Sequence, residues 1–249
     1  MFDNVTKSVR VLSAAAVEKA NSGHPGMPLG MADVGVAIYK NALKASNKNP
    51  DWINRDRFVL SAGHGSMLLY SLLHFNGFDI SMDDIKNFRQ LGSVTAGHPE
   101  KDFQLGIDTT TGPLGQGFAN GVGLAVAERY LSSVLGEDII DHYIYGIISD
   151  GDLMEGISTE AAELAGLWKL GKIIYFFDDN NDPSKLKIIK NKNYDDNKDI
   201  NNTSIDNLDK IDNKVNKQEA PPNVKSNISI SNYREFVDMF FKNREGLLH

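Results

Sequence analysis

Hydrophobic residues recur at helical spacing along the first half of the chain and then also appear as short continuous runs. Helices are predicted at residues 5–20, 28–43, 66–75 and 118–135, the last one rich in glycine and alanine. Two apolar runs, 143–148 and 173–177, contain β-branched and aromatic residues and are typical of buried parallel strands. An Ala/Glu/Leu-rich helical segment, 155–170, lies between them and completes a βαβ unit. We therefore predict an α/β fold in which a parallel sheet is flanked by helices.

The amino-acid composition changes abruptly after Asn181. The earlier part holds 21 of the 22 glycines and both tryptophans, whereas residues 182–249 hold 12 asparagines and one glycine. An Asn/Lys/Asp-rich stretch buries too little apolar surface to offset the entropy lost on ordering. Near the end, Asn232 and Glu235 resemble a capping box ahead of an apolar helical face. The predicted organisation is a partial diphosphate-binding domain at 1–181, a disordered linker at 182–230 and a short amphipathic helix at 231–249.

A sheet that ends at strand 173–177 would expose one apolar edge. Such an edge presents unpaired backbone groups and tends to associate with other chains. We therefore expect the isolated chain to aggregate or to rely on dimerisation through segment 155–170.

Composition and charge narrow the classes of function. Hydrophobic residues make up 41% of the 249, an ordinary value for a globular protein, and no apolar run reaches the length of a membrane span. The first residues lack the layout of a signal peptide, so we expect a cytoplasmic location and no membrane partner. With no cysteine, disulfides and thiolate chemistry are excluded. The net charge of −7 argues against nucleic acid as a partner.

Polar residues follow both predicted strands of the βαβ unit. Asp150 and Gly151 come directly after the first strand, and Asn180 follows the second, thirty residues after Asp150. Because the carboxyl ends of adjacent parallel strands meet at one edge of a sheet, the carboxylate and the amide should lie together. Oxygen ligands of this kind suit Mg²⁺, and a glycine lets backbone approach a phosphate. The alternative is that both segments are only turns at strand ends.

Five further segments carry a family resemblance. They are Ser-Gly-His-Pro-Gly at 22–26, Ser-Ala-Gly-His-Gly-Ser at 61–66, Gly-His-Pro-Glu at 97–100, Gly-Pro-Leu-Gly-Gln-Gly at 112–117 and Asp-Gly-Asp-Leu-Met-Glu-Gly at 150–156. In their content and order they resemble the N-terminal, diphosphate-binding domain of transketolase, a thiamine diphosphate enzyme. The resemblance covers about residues 3–181. One departure is Ser149, which stands where the family's cofactor motif has its first glycine.

The resemblance implies a binding site for thiamine diphosphate and Mg²⁺. Asp150 and Asn180 correspond to side-chain ligands of the metal, and Asn180 also belongs to the cofactor site. The main-chain carbonyl of Asp182 would be the third metal ligand, although Pro183 follows it where the family has an apolar segment. Gly151 corresponds to a glycine that contacts the diphosphate. His64 corresponds to a histidine that hydrogen-bonds it.

The resemblance also implies residues for the rest of the active site. His24 and His98 correspond to the pair that contacts the donor sugar near the reacting carbon. Glu155 and Glu160 correspond to acidic residues that link the two active sites of a dimer. The alternative for each histidine is an ordinary polar role, and for each glutamate a solvent-facing position. The loop against the aminopyrimidine of the cofactor would consist of Gly112, Pro113 and Leu114.

For the family, the implied reaction transfers a two-carbon ketol unit from a ketose phosphate to an aldose phosphate, as in the pentose phosphate pathway. Each active site in the family combines the diphosphate domain of one subunit with the pyrimidine domain of another. The expected partners are therefore sugar phosphates and either a second copy of the chain or a separate pyrimidine-domain chain. Two alternatives remain open: the small subunit of a split transketolase, and a non-enzymatic truncated or fused gene product. Dihydroxyacetone synthase is not separated from transketolase by these motifs.

Overall fold

A five-stranded sheet forms the centre of the computed structural model, which describes residues 2–179, 186–190 and 229–230. The strands lie in sequence order across the sheet. The first three are parallel, and the last two continue the sheet in antiparallel orientation. The strands are β1 (Arg57–Leu60), β2 (Ile144–Ser149), β3 (Ile173–Asp178), β4 (Leu186–Lys190) and β5 (Ser229–Ile230).

Helices cover both faces of the parallel strands. One layer consists of helices from the first half of the chain, and the other consists of two helices, one before and one after β2 in sequence. The helices are α1 (Phe2–Ala20), α2 (Gly26–Gly30), α3 (Ala32–Ala37), α4 (Ser66–Phe75), α5 (Met82–Lys86), α6 (Gln116–Leu135), α7 (Asp150–Met154) and α8 (Gly156–Leu167). A π-helical turn, Ile38–Ala42, continues α3, and a 3₁₀ turn, Gly63–Gly65, precedes α4. None of the helices that the structure describes is long and apolar enough to cross a membrane.

The predicted α/β fold with a helix-flanked parallel sheet is confirmed. The central strand β2 is buried along its whole length, as expected for a parallel strand covered on both faces. Because side chains alternate across a strand, Tyr145 and Ile147 pack in one hydrophobic layer, whereas Ile144 and Ile148 pack in the other. The βαβ prediction therefore identified the element that organises both cores.

Four predicted helices have different bounds in the structure. Two of them only begin earlier, α1 at Phe2 and α6 at Gln116. The segment predicted as one helix at 28–43 is divided at Met31, whose backbone leaves the helical region, and it ends in the π-helical turn. Gly30 precedes the break, and glycine in a helix interior is destabilising. The segment predicted at 155–170 begins one residue later, because Glu155 is extended and caps α8. The elements β1, α5 and α7 were not predicted, because each has only four or five residues and is too short for a periodic signal.

The expectation of a bare edge at β3 is wrong. β4 pairs antiparallel with β3 along its length, from Ile174 opposite Lys190 to Asp178 opposite Leu186. Both β4 and β5 lie within the segment predicted as a linker at 182–230. The rest of that linker and the predicted helix at 231–249 lie outside the described residues.

The burial of His142 leads us to expect that acid lowers the stability of the fold. His142 is 4% exposed, and its Nδ1 has no hydrogen-bond partner among the residues that the structure describes. Burial, followed by the nearby cations Arg57, Lys172 and Arg55, lowers its pKa to about 4, and Asp141 opposes this shift. The unfolded chain has an ordinary histidine pKa of about 6.5. It therefore binds a proton as the pH falls through that value, whereas the folded state does not until about pH 4.

We expect this linkage to reduce stability between pH 6.5 and pH 4, by up to about 3 kcal/mol at the acid end. The measurement is urea denaturation of the wild-type chain and a His142→Phe variant across that range. Phenylalanine keeps a buried ring but cannot be protonated, so its stability should decline less with acid. Because other titrating groups are common to both proteins, the difference between the two curves isolates His142. Parallel curves would contradict the prediction.

Candidate functional site

The candidate site lies at the carboxyl ends of the three parallel strands. The last residue of β2, Ser149, is paired with the last residue of β3, Asp178, and Leu60 of β1 is paired with Ile147. The three strands therefore end at the same edge of the sheet. Ligands of open α/β sheets bind at this edge, where the loops that follow the strands converge.

A buried carboxylate joins these loops. Asp152 is fully buried, and its Oδ1 accepts hydrogen bonds from Ser61 Oγ and from the Gly115 N–H, each at 2.8 Å. Its Oδ2 accepts from the Ser149 N–H at 2.9 Å and from Ser149 Oγ at 3.1 Å. The carboxylate thus connects the residue after β1, the end of β2 and the residue that caps α6. We call these four residues, Ser61, Gly115, Ser149 and Asp152, the carboxylate hub.

The start of α6 is positioned by the same hub. Ser61 Oγ accepts from the Phe118 N–H at 2.9 Å while it donates to Asp152. Gly115 has φ +79°, in the left-handed region that glycine adopts readily. A Cβ there would lie 2.8 Å from Ser158 Oγ and 2.9 Å from Glu155 Cβ. The loop before α6 can therefore lie directly against the start of α8.

Three histidines from separate loops meet beside the hub. The rings of His24 and His64 lie edge to face with centroids 5.1 Å apart. Burial lowers the pKa of His64, as do His24 and His98, whereas Asp152 and Asp150 oppose the shift. Partial burial lowers the pKa of His98, with further contributions from Arg89 and His24. The structure therefore brings together the three histidines that the sequence motifs singled out.

The loop at 112–114 lies between one of these histidines and the end of β2. A Cβ on Gly112 would come within 3.3 Å of the His98 ring, and one on Gly151 would come within 3.1 Å of Leu114 Cδ1. Side chains at either glycine would therefore crowd this space. The backbone can approach a ligand closely here, which fits the predicted cofactor. Pro113, the middle residue, is exposed.

The strand ends also concentrate negative charge. Burial, followed by the neighbouring carboxylates of Asp150 and Asp179, raises the pKa of Asp178 to about 6. Asp150 is half-buried and accepts a hydrogen bond from the Gly151 N–H at 2.9 Å. A divalent cation bound at Asp150 would offset this concentration of charge, and carboxylate oxygen is a suitable ligand for Mg²⁺.

The structure covers only part of the predicted metal site. Within the described ranges there is no group of three acidic, histidine or cysteine residues placed to hold a metal ion. Asn180 and Asp182, the other predicted ligands, lie outside those ranges. Glu155 and Glu160 are exposed at the start of α8 and make no contribution to the histidine cluster that the structure describes.

Sequence analysis did not identify the carboxylate hub. A local signal was present, because Ser149 followed three residues later by an acidic side chain is the pattern of a capping box, which the structure contains. The contacts of Asp152 with Ser61 and Gly115 have no comparable signal in the sequence. Ser61 and Asp152 are separated by 91 residues, and only the folded sheet brings them together.

Comparisons with known proteins agree with this geometry. Residues 2–200 match the family model described as "Transketolase, thiamine diphosphate binding domain". Transketolase 1 of Escherichia coli K12 is 56% identical over 179 residues, which cover 71% of this chain and 27% of that protein. A transketolase structure from Campylobacter jejuni is 54% identical with a TM-score of 0.70, covering 72% of this chain and 28% of that chain. The transketolase of Pichia stipitis in complex with sedoheptulose-7-phosphate is 48% identical with a TM-score of 0.69, covering 72% and 27% respectively. The chain thus spans about a quarter of the length of these relatives.

Proposed function

The chain belongs to the transketolase family through its thiamine diphosphate-binding domain, and we propose that it supplies the diphosphate half of a transketolase active site. The proposed reaction is transfer of a two-carbon ketol unit from a ketose phosphate to an aldose phosphate. The observation that carries this proposal is the convergence of His24, His64 and His98 at the end of β2. The sugar phosphate bound by the Pichia stipitis relative supports the substrate class. The family also supports a place in the pentose phosphate pathway and a cytoplasmic location.

Thiamine diphosphate supplies, when bound, a carbon nucleophile and an electron sink for breaking the carbon–carbon bond of the ketose. The chain's residues would hold it in two places. Gly151 and His64 would contact the diphosphate, since the first leaves room for it beside Leu114 and the second presents a half-buried imidazole. Gly112, Pro113 and Leu114 would lie against the aminopyrimidine. Mg²⁺ would be held by Asp150, Asn180 and the carbonyl of Asp182.

His24 and His98 would act on the sugar. Both side chains are exposed at the mouth of the site, where a substrate can reach them. Imidazole N–H groups can donate to an oxygen that gains negative charge, and a deprotonated ring nitrogen can accept a substrate proton. The lowered pKa of His98 favours its neutral form near pH 7, in which one ring nitrogen donates and the other accepts.

The proposed half-site needs a partner: a second copy of this chain would form a homodimer of two diphosphate halves, and a separate chain would supply the pyrimidine domain. In the first arrangement, Glu155 and Glu160 would link the two active sites across the dimer. A separate chain would make this protein the small subunit of a split enzyme. The competing proposal is a non-enzymatic truncated or fused gene product, whose broken cofactor domain would not bind the cofactor. Cofactor binding separates the first two arrangements from the third.

The test is calorimetric titration of the full chain with thiamine diphosphate, in the presence and absence of Mg²⁺. We expect saturable binding that depends on Mg²⁺ and is weakened by about tenfold or more in Asp150→Ala, because the variant lacks a metal ligand. Asp138→Ala is the matched control, since it removes an exposed aspartate from the loop that leads into the amino end of β2, the opposite end of the strand from Asp150. Binding in both variants equal to wild type would overturn the metal assignment. A folded wild-type chain that binds no cofactor would favour the non-enzymatic alternative.

A further inference from the structure

The segment after α5 contacts both loops that carry the substrate histidines. A Cβ on Gly23, next to His24, would come within 3.1 Å of the Phe88 ring. A Cβ on Gly97, next to His98, would come within 3.0 Å of Arg89 Nε. Two consecutive residues, Phe88 and Arg89, therefore each lie against one of the two histidine loops.

Arg89 also connects these loops through polar contacts. Its Nη1 donates to Ser22 Oγ at 2.8 Å, two residues before His24, while its guanidinium lies against the backbone of Gly97. The Nε of Arg89 is buried and has no hydrogen-bond partner within the described part of the chain. Ser22 and Arg89 are 67 residues apart, so this connection is tertiary.

The backbone of Arg89 is held in an uncommon conformation. Its φ is +60°, in the left-handed region that residues other than glycine seldom occupy. The Arg89 N–H donates to the Thr95 carbonyl at 2.9 Å, which closes the loop around this conformation. Backbone conformations of this kind persist where surrounding structure holds them, and they concentrate at functional sites.

We propose that Arg89 is a positioning residue that ties the His24 loop to the His98 loop and so fixes the two imidazoles relative to each other. The inference rests on the proposed function, because it assumes that this histidine pair flanks the reacting carbon of the sugar. Arg89 acts through the histidines and needs no contact with the cofactor.

Electrostatics gives Arg89 a second effect on the same pair. The charged and titratable groups that interact with His98 are Arg89 from the loop after α5, and His24 and His64 from the other histidine loops. Partial burial lowers the pKa of His98 most, and the Arg89 cation is the next contribution, ahead of His24. The arginine thus favours the neutral imidazole at a position where it can accept or pass on a proton.

The test is a histidine-ring NMR titration of the full chain without cofactor, in wild type, Arg89→Gln and Arg89→Lys. We expect the glutamine variant to raise the pKa of His98 and the lysine variant to keep it below the ordinary value, because lysine retains the positive charge. The ring resonances of His74, on α4, serve as an internal reference. An unchanged pKa of His98 in Arg89→Gln, or an equal rise in both variants, would overturn the electrostatic effect.

A second variant tests whether the hydrogen bond from Arg89 to Ser22 holds the His24 loop against the His98 loop. Ser22→Ala removes the hydrogen-bond acceptor of Arg89 and keeps every charge. Amide hydrogen exchange at Arg89, whose N–H donates to the Thr95 carbonyl, should therefore become several-fold faster while the pKa of His98 is retained. Unchanged exchange would overturn the positioning role. Thiamine diphosphate affinity, measured by calorimetry, should be retained in Ser22→Ala and Arg89→Gln. Failure of wild type to bind cofactor would count against the proposed function, whereas the titration and exchange results judge Arg89 separately.

Discussion

Replacing Asp152 with alanine is expected to destabilise the chain by roughly 2–6 kcal/mol, because it leaves buried donors of the carboxylate hub without an acceptor. The Gly115 and Ser149 N–H groups both donate to this carboxylate, and neither can turn towards water as a side chain can. Each buried donor that is left without an acceptor lowers the free energy of unfolding by about 1–3 kcal/mol. The measurement is the free energy of unfolding from urea denaturation at pH 7.

The matched control for this prediction is Asp150→Ala, two residues earlier in the same turn. Asp150 is half-buried, whereas Asp152 has no exposed surface, so we expect the control to lose less stability. Asp152→Asn keeps one acceptor oxygen but places an amide N–H₂ against donors, and should fall between alanine and wild type. If Asp152→Ala unfolds at the same denaturant concentration as Asp150→Ala, the hub does not hold the strand ends together.

Replacing Asp108 with alanine is expected to cost about 3–5 kcal/mol, the penalty for leaving a buried charge without its partner. Asp108 Oδ1 lies 2.6 Å from Arg55 Nη2 and 3.6 Å from Arg57 Nη1. The side chains of Asp108 and Arg55 are 2% and 5% exposed. Asp108 Oδ2 also accepts from the Phe58 N–H at 2.8 Å, so the substitution affects β1 directly. The free energy of unfolding at neutral pH checks this value.

A double variant shows whether the cost comes from the unpaired arginine. Asp108→Ala with Arg55→Met removes both charges, so it should recover part of the stability lost in the single variant. The surface pair of Asp83 and Lys86 provides the comparison, because both side chains are exposed and water screens their attraction. Asp83→Ala should leave the unfolding midpoint unchanged. A single Asp108→Ala variant that behaves like Asp83→Ala would refute the prediction.

The arrangement of the site depends on contacts that no local pattern encodes. The carboxylate hub joins Asp152 to Gly115 across 37 residues and to Ser61 across 91. The contact between Arg89 and Ser22 spans 67 residues. Sequence analysis placed His24, His64 and His98 in the site only through a family resemblance. Their spacing along the chain says nothing about distance in space.

The α/β fold, the βαβ unit and the motifs of the candidate site were predictable from the linear sequence. Strands that are buried on both faces need continuous apolar runs, and the runs of β2 and β3 can be recognised in the amino-acid sequence. The break at Met31, the strand β1, the pairing of β4 with β3 and the carboxylate hub became visible only in the folded chain. Short elements carry too little periodicity to be recognised alone. Their hydrogen bonds form with residues far along the chain, so their positions are fixed only when the sheet is assembled.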